Sequence, residues 1–127
     1  MATEPILPSS SSPNPTEAIV ARQLEAYNQQ DLEAFVNCFS TNVEVLRDGS
    51  DAIQEGRETM RTNYAAMFAR FPENRCTLLQ RIIVGNHAVD EELIEGRDGS
   101  PFRTIAVYTI SEGLISHVRF LSCEDEA

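Results

Sequence analysis

The chain has 127 residues, 42% of them apolar, and carries 20 acidic against 10 basic residues for a formal net charge of −10. This length supports one domain with one core, and the apolar content excludes a disordered chain. All ten basic residues are arginine, so mechanisms that need a lysine amine, such as a Schiff base, are excluded. The excess of acids argues against nucleic acid or an anionic membrane as a partner.

The composition of the two ends differs from that of the middle. We predict a flexible N-terminal tail at 1–15, one folded domain at 16–122 and an acidic C-terminal tail at 123–127. The N-terminal segment lacks the features of a secretion signal and no stretch is long enough to span a bilayer, so we expect a cytoplasmic location. The three cysteines are widely spaced and odd in number, so neither a zinc site nor a disulfide framework is expected, and no cofactor is predicted.

Helical patterns come first along the chain. Asn14 is a suitable N-cap and Pro15 suits the first helical position, while Asp31 can cap a second, shorter helix. The apolar spacing predicts helices over about 14–29, 31–39 and 55–71, with a valine-rich strand at 42–47 before the third.

From residue 75 onward the apolar period changes from 3.6 to 2, which predicts a four-strand antiparallel meander at about 75–84, 88–95, 102–110 and 114–122. Helices early and strands late predict an α+β fold, with the helices packed on one face of a curved antiparallel sheet. For the last hairpin we favour a three-residue turn at 111–113 over a two-residue turn, because the latter would bring arginines into the core. The outer face then carries Ile105, Val107, Ile115 and Leu121, which predicts a homodimer through that face.

The strand at 88–95 contains three consecutive acids. Glu91 shares a face with two apolar residues, whereas Asp90 and Glu92 lie on the opposite face, so we predict that Glu91 points inward. A carboxyl in apolar surroundings has a raised pKa, as a general acid or base requires, so Glu91 is the candidate catalytic residue. The alternatives are an ion pair with Arg47 or exposure at the strand end. The acidic run is most simply a solvated edge, and no metal site is predicted.

Three segments resemble the nuclear transport factor 2-like (SnoaL-like) superfamily. AYNQQDLEAFVNCFSTNVEV at 26–45 is similar to its two-helix opening, EGRETMRTNYAAMF at 55–68 to its third helix, and EGLISHVRF at 112–120 to its last hairpin. The resemblance covers nearly all of 16–122. It implies a cone-shaped, cystatin-like α+β barrel whose curved sheet and helices enclose a pocket, usually in a dimer.

Members of this superfamily include ketosteroid isomerases, limonene epoxide hydrolases, polyketide cyclases, dehydratases and proteins that only bind. Gln23, Arg47 and Ala106 stand where the ketosteroid isomerases have a hydrogen-bonding tyrosine, a catalytic aspartate and a protonated aspartic acid. The aspartate–arginine–aspartate arrangement of the epoxide hydrolases is also absent. The resemblance therefore leaves open whether the protein is an enzyme.

We predict a pocket for a small hydrophobic or amphipathic organic ligand. One hypothesis is isomerase, cyclase or dehydratase chemistry, with Glu91 as acid–base and a tyrosine hydroxyl stabilising an oxyanion. The alternative is a non-catalytic ligand-binding or dimerisation module, and an outward-facing Glu91 would contradict the enzyme hypothesis. The expected pocket lining is Tyr27, Arg47, Met60, Tyr64, Met67, Tyr108, Ser116, Val118 and Phe120.

Overall fold

Three helices pack on one curved sheet in the computed structural model, which describes residues 14–48 and 53–122. They are α1 (Pro15–Gln29), α2 (Leu32–Val36) and α3 (Arg57–Arg70). None of the helices in these ranges combines the length and apolar character that a membrane span needs. Of the predicted tails, 1–13 and 123–127 lie outside the described residues, and positions 14 and 15 belong to the start of α1.

The predicted helix caps are confirmed. The side-chain oxygen of Asn14 accepts hydrogen bonds from the backbone N–H groups of Thr16 and Glu17, at 2.8 and 3.1 Å. Asp31 accepts one from the backbone N–H of Ala34 at 3.2 Å. These bonds satisfy N–H groups that have no partner inside the helix, which is why each helix begins where it does.

The sheet has six strands in the order β2-β1-β6-β5-β4-β3. The predicted meander is confirmed in the last four strands, and β1 starts three residues earlier than predicted. A short strand, β2, was not predicted, and β1 pairs in parallel with β6, so the sheet is mixed rather than purely antiparallel. The strands are β1 (Phe39–Arg47), β2 (Ile53–Glu55), β3 (Arg75–Val84), β4 (His87–Glu95), β5 (Phe102–Ser111) and β6 (Leu114–Ser122).

The β5–β6 hairpin differs from the predicted three-residue turn. Ser111 pairs with Leu114, so the turn has two residues, and both have positive φ, as a type I′ turn requires. The pairing then shifts by one residue at a bulge, which leaves Ser116 without a cross-strand partner. Residues after the bulge keep the predicted faces, but Ile115 before it is fully buried in the core. Its predicted place on the outer face is wrong for this reason.

An aromatic cluster fills the space between the helices and the start of β1. The ring of Phe35 is central: its centroid lies 4.6 Å from that of Tyr64 and 5.0 Å from that of Phe39. Tyr27 and Phe68 complete the cluster at 5.9 and 6.1 Å from Phe35. Aromatic pairs at these separations add to the free energy gained by burial, so the cluster anchors α2 and α3 on the sheet.

Candidate functional site

A cavity of about 110 Å³ lies between the helices and the inner face of the sheet. Its charged lining residues are Glu92 on β4, Arg47 at the end of β1 and Arg97 in the β4–β5 loop. A second cavity of about 190 Å³ shares Arg47, Phe102 and other lining residues with the first. The apolar wall of the first cavity consists of Leu24, Phe35, Phe39, Val45, Met60, Ile94, Phe102, Val118 and Phe120.

Glu92 is 4% exposed and lies on the cavity wall. The hydroxyl of Tyr108 donates to its Oε2 over a long 3.4 Å, and the thiol of Cys76 lies close enough to influence its pKa. Within residues 14–48 and 53–122, no arginine forms a salt bridge with it. Glu92 is therefore a buried carboxyl with neutral polar neighbours, and it forms no ion pair with a described residue.

The surroundings of Glu92 alter its protonation. Burial, followed by the negative charge of Asp90, raises its pKa to about 7, although hydrogen bonds from Cys76 and Tyr108 lower it in part. Desolvation disfavours the charged form of an acid, which gives the direction of this change. Both protonation states are populated near neutral pH, so Glu92 can accept or donate a proton under ordinary conditions.

Tyr108 connects the carboxyl to α1. Its hydroxyl oxygen accepts a hydrogen bond from Nε2 of Gln23 at 3.1 Å, and Gln23 is itself 4% exposed. Burial, and then the charge of Glu92, raises the pKa of Tyr108 well above its usual value. The phenol therefore stays protonated and its hydroxyl remains a donor towards Glu92.

Asp90, two residues before Glu92, has a different partner. It is fully buried, and Arg81 on β3 binds it through Nε and a terminal nitrogen, at 2.7 and 2.9 Å. Such a bidentate pair satisfies both carboxylate oxygens at once. Neither residue lines the cavity, so this pair belongs to the packed part of the cone.

The mouth of the cavity carries two arginines, each over an aromatic ring. The guanidinium carbon of Arg47 lies 4.5 Å from the ring centre of Phe120, and that of Arg97 lies 5.6 Å from the ring centre of Phe102. Burial raises the pKa of Tyr64 to about 12, while the charges of Arg47 and Arg97 both act to lower it. The positive charges of the two arginines therefore act on groups inside the cavity.

Arg97 is also held by a buried polar cluster. Its Nε donates to Oδ1 of Asn74 at 2.8 Å, and a terminal nitrogen donates to the hydroxyl oxygen of Tyr27 at 2.9 Å. The amide nitrogen of Asn74 donates to the same hydroxyl oxygen at 2.6 Å. Both bonds use the hydroxyl oxygen of Tyr27 as an acceptor. The hydroxyl hydrogen therefore remains available as a donor, and no described residue accepts it.

A family profile for the SnoaL-like domain matches residues 20–118, which is most of the chain. This chain belongs to the SnoaL-like domain family. No match is found among curated proteins.

Several solved structures share the fold. An uncharacterised cystatin-fold protein from Novosphingobium aromaticivorans is 28% identical with a TM-score of 0.77, over 87% of this chain and 100% of that one. A putative polyketide cyclase from Sinorhizobium meliloti is 20% identical with a TM-score of 0.72, over 84% and 98% of the two chains. A putative ketosteroid isomerase from Kribbella flavida is 16% identical with a TM-score of 0.74, over 84% and 76%. These likenesses establish the nuclear transport factor 2-like architecture that the sequence predicted.

In this SnoaL-like domain most of the predicted lining residues do meet at one cavity. Met67 instead packs against the core without lining the cavity, and Ser116 lies in the β6 bulge, where its hydroxyl donates to the carbonyl of Thr109 at 3.2 Å. The predicted residues that line the cavity are Tyr27, Arg47, Met60, Tyr64, Tyr108, Val118 and Phe120.

The prediction that Glu91 points inward is wrong. Its carboxylate lies on the outer face of the SnoaL-like sheet, where Nε2 of Gln80 donates to it at 2.7 Å and Arg103 lies 3.4 Å away. An ion pair was the alternative, but the partner is Arg103 and not Arg47. The inward acids are Asp90 and Glu92, because specific polar partners satisfy them in the interior. The description of the acidic run as a solvated edge is therefore also wrong for these two.

Glu92 is the candidate residue that the sequence comparison of the two β4 faces does not find. The face of β4 with more apolar residues is predicted to be the buried one, but in the structure it is the outer, half-buried face. The usable signal is in β5, where the predicted outward position of Ile105 and Val107 is correct and Thr104 and Ala106 therefore face inward. Opposite residues of paired strands share a face, and these two lie opposite Glu92 and Asp90. The chain between β4 and β5 has an irregular conformation, so the sequence did not reveal that register.

Proposed function

We propose that this SnoaL-like protein binds a small organic molecule in the cavity and transfers a proton on it, with Glu92 as the general acid–base. The observation that carries the proposal is a buried carboxyl on the cavity wall, without an arginine partner among the described residues, whose pKa is about 7. The outward position of Glu91 contradicts the enzyme hypothesis in the form that the sequence suggested, with Glu91 as the acid–base. The present proposal is a different one, because it rests on Glu92. The likeness to a putative polyketide cyclase and a putative ketosteroid isomerase supports this class of chemistry.

The hydroxyl of Tyr27 supplies the second element of the proposed chemistry. Because Asn74 and Arg97 both donate to its oxygen, its own hydrogen is available to an oxygen atom of the ligand. Donation to a carbonyl oxygen stabilises the negative charge that forms when Glu92 removes a proton from the neighbouring carbon. When Glu92 returns that proton to another carbon or to a leaving group, the net result is isomerisation or elimination.

The experiment that tests this proposal measures proton transfer without knowledge of the natural substrate. Exchange of the hydrogens next to the carbonyl of acetophenone and cyclohexanone into D₂O is followed by NMR at pH 5–9. We expect the wild-type protein to accelerate exchange at least about tenfold over buffer, with a rise through about pH 7 as Glu92 loses its proton.

Two substitutions at adjacent positions sharpen the test. Glu92→Gln is expected to return exchange to the buffer rate, whereas Glu91→Gln, on the opposite face of β4, is expected to leave it unchanged. Exchange that is insensitive to Glu92→Gln would exclude Glu92 as the catalyst. Binding of the ketones without any acceleration would favour the non-catalytic ligand-binding alternative.

We also propose that two copies associate through the outer sheet face. Ile82, Val89 and Val107 lie opposite one another in one row of that face, and Ile82 is 56% exposed. Glu91 and Arg103 lie together on one side of this row and carry opposite charges, so a twofold axis can bring the acid of one copy to the arginine of the other. Sedimentation velocity should show a dimer that Ile82→Asp converts to a folded monomer, and a monomeric wild-type protein would contradict the proposal.

We retain the cytoplasm as the expected location. The two described cysteines, Cys38 and Cys76, are free thiols in the core, which agrees with a reducing compartment. Detection of the protein by cell fractionation tests this expectation directly.

A further inference from the structure

The mouth of the cavity is positively charged, whereas the chain as a whole is negatively charged. The protein has twice as many acids as bases, yet both charged groups at the mouth, Arg47 and Arg97, are positive. Among the described residues, the acid on the cavity wall is Glu92, and it is buried away from the mouth. No carboxylate of the described residues lies within 4 Å of either guanidinium. Nearby Asp48, which lines the adjoining cavity, pairs instead with Arg119 at 3.2 Å.

Both arginines are held in position and retain donors. Arg97 uses Nε and one terminal nitrogen on Asn74 and Tyr27, and its other terminal nitrogen makes no hydrogen bond with a described residue. Arg47 is placed by stacking on Phe120 and makes no hydrogen bond within the described ranges. A guanidinium fixed over an aromatic ring is already oriented, so little side-chain freedom is lost when it binds an anion.

The size of the cavity limits what can accompany the anion. An engineered apolar cavity of roughly 150 Å³ accommodates benzene. The cavity here is smaller, at about 110 Å³, so the apolar part of a ligand is at most about one ring, and the rest lies at the arginine-lined mouth. The apolar wall includes Phe35, Met60 and Val118, which suit a single ring or a short branched chain.

We infer that the ligand is a small carboxylic acid, whose apolar body of about one ring fills the cavity and whose carboxylate is bound at the mouth by Arg47 and Arg97. This inference rests on the proposed function, because it identifies the class of molecule that enters the same cavity. A carboxylate fits the planar fork of an arginine with two parallel hydrogen bonds, which a neutral amide of the same shape cannot match.

The test compares phenylacetate with phenylacetamide, which has the same ring and nearly the same shape but no charge. Dissociation constants are measured by titration with ¹H–¹⁵N NMR at pH 7.5 and low salt. We expect the acid to bind at least about tenfold more tightly than the amide, and the difference to shrink in 0.5 M NaCl.

Substitutions at matched arginines locate the effect. Arg47→Gln should weaken phenylacetate about tenfold and leave phenylacetamide unchanged, whereas Arg47→Lys should retain part of the preference. Arg70→Gln is the control, because Arg70 also stacks on an aromatic ring, that of Phe71 at 5.0 Å, but lines neither cavity.

The outcomes separate this inference from the proposed function. Equal binding of the acid and the amide, or an equal loss of both in Arg47→Gln, overturns the carboxylate inference and leaves ligand binding in place. Absence of binding by either compound at millimolar concentration overturns both for ligands of this size. A preference for the acid that Arg70→Gln also removes would overturn the assignment to the mouth.

Discussion

Asp90 and Glu92 lie on the same face of β4 and are both almost completely buried, yet they occupy chemically different regions. In the packed region of the cone, Arg81 binds both oxygens of Asp90. At the cavity, Glu92 accepts a hydrogen bond from the hydroxyl of Tyr108 and lies near the thiol of Cys76, and no arginine of the described residues pairs with it. The positive partner therefore distinguishes the two regions, and burial does not.

This difference shows how one strand supplies both a carboxyl that is paired with an arginine and a carboxyl that is not. A buried carboxylate with a bidentate arginine is stable as an anion, since the pair satisfies the charges that water would otherwise solvate. A buried carboxyl without a cation has a raised pKa, so it changes its protonation state closer to neutral pH. The alternation of side chains along β4 places both carboxyls inward. Arg81 on the neighbouring strand β3 then pairs with Asp90 and not with Glu92.

Breaking the buried ion pair should have the largest effect on stability. Asp90→Asn leaves the guanidinium of Arg81, whose side chain is 9% exposed, without its carboxylate. Removal of one partner of a buried pair lowers the free energy of unfolding by about 3–5 kcal/mol. Urea denaturation at pH 7 measures the loss. The double variant Asp90→Leu/Arg81→Met should recover most of it, and a loss below about 1 kcal/mol in the single variant would contradict the structural role.

Removal of the unpaired carboxyl should instead alter the pH dependence of stability. Glu92 has a pKa of about 7 in the folded state and 4.5 in its ordinary state, so the folded protein binds the extra proton between these values. Stability therefore falls as the pH rises from about 4.5 to 7, by about 3 kcal/mol in total. Urea denaturation from pH 4 to 9 should show that this component is missing in Glu92→Gln. Parallel curves for the two proteins would contradict the raised pKa.

The contact between Tyr108 and Glu92 should have a smaller effect. Tyr108→Phe removes a donor to the carboxylate and leaves Nε2 of Gln23 without its acceptor. The free energy of unfolding should fall by about 1–2 kcal/mol. Because the lost hydrogen bond lowers the pKa of Glu92, that pKa should rise above about 7, as measured by ¹³C NMR of the carboxyl. In Tyr64→Phe, whose hydroxyl is bound to no described residue, the pKa of Glu92 should change less.

The architecture could be predicted because it depends on local patterns. The helix caps at Asn14 and Asp31, the change of apolar period near residue 75 and the inward face of β5 each depend on neighbouring residues alone. Ile115 and Ser116 were misplaced because a bulge in β6 changes the alternation without a strong local signal. Most of the residues that line the cavity were also predicted, because their inward positions follow from the same local patterns.

The reactive residue could not be predicted from hydropathy, because its burial depends on partners from other elements. Cys76 on β3 and Tyr108 on β5 approach Glu92, and Gln23 on α1 binds Tyr108, only after the sheet and α1 have assembled. Arg97 was missed for the same reason, since it reaches the cavity through Asn74 and Tyr27. Apolar content alone assigned the wrong face of β4, as Glu91 shows.

The smallest effect is expected at Glu91, which lies on the opposite face of β4. Its side chain is 24% exposed and its contact with Arg103 is a surface ion pair at 3.4 Å. Such pairs contribute roughly 0–1 kcal/mol, so Glu91→Gln should change the free energy of unfolding by less than about 1 kcal/mol. The pH dependence between 4.5 and 7 should remain that of the wild-type protein, because Glu92 is intact. Urea denaturation under the conditions used for Glu92→Gln checks both points. If Glu91→Gln removed the pH dependence, the assignment of the two faces of β4 would be reversed, and the proposed chemistry at Glu92 would lose its basis.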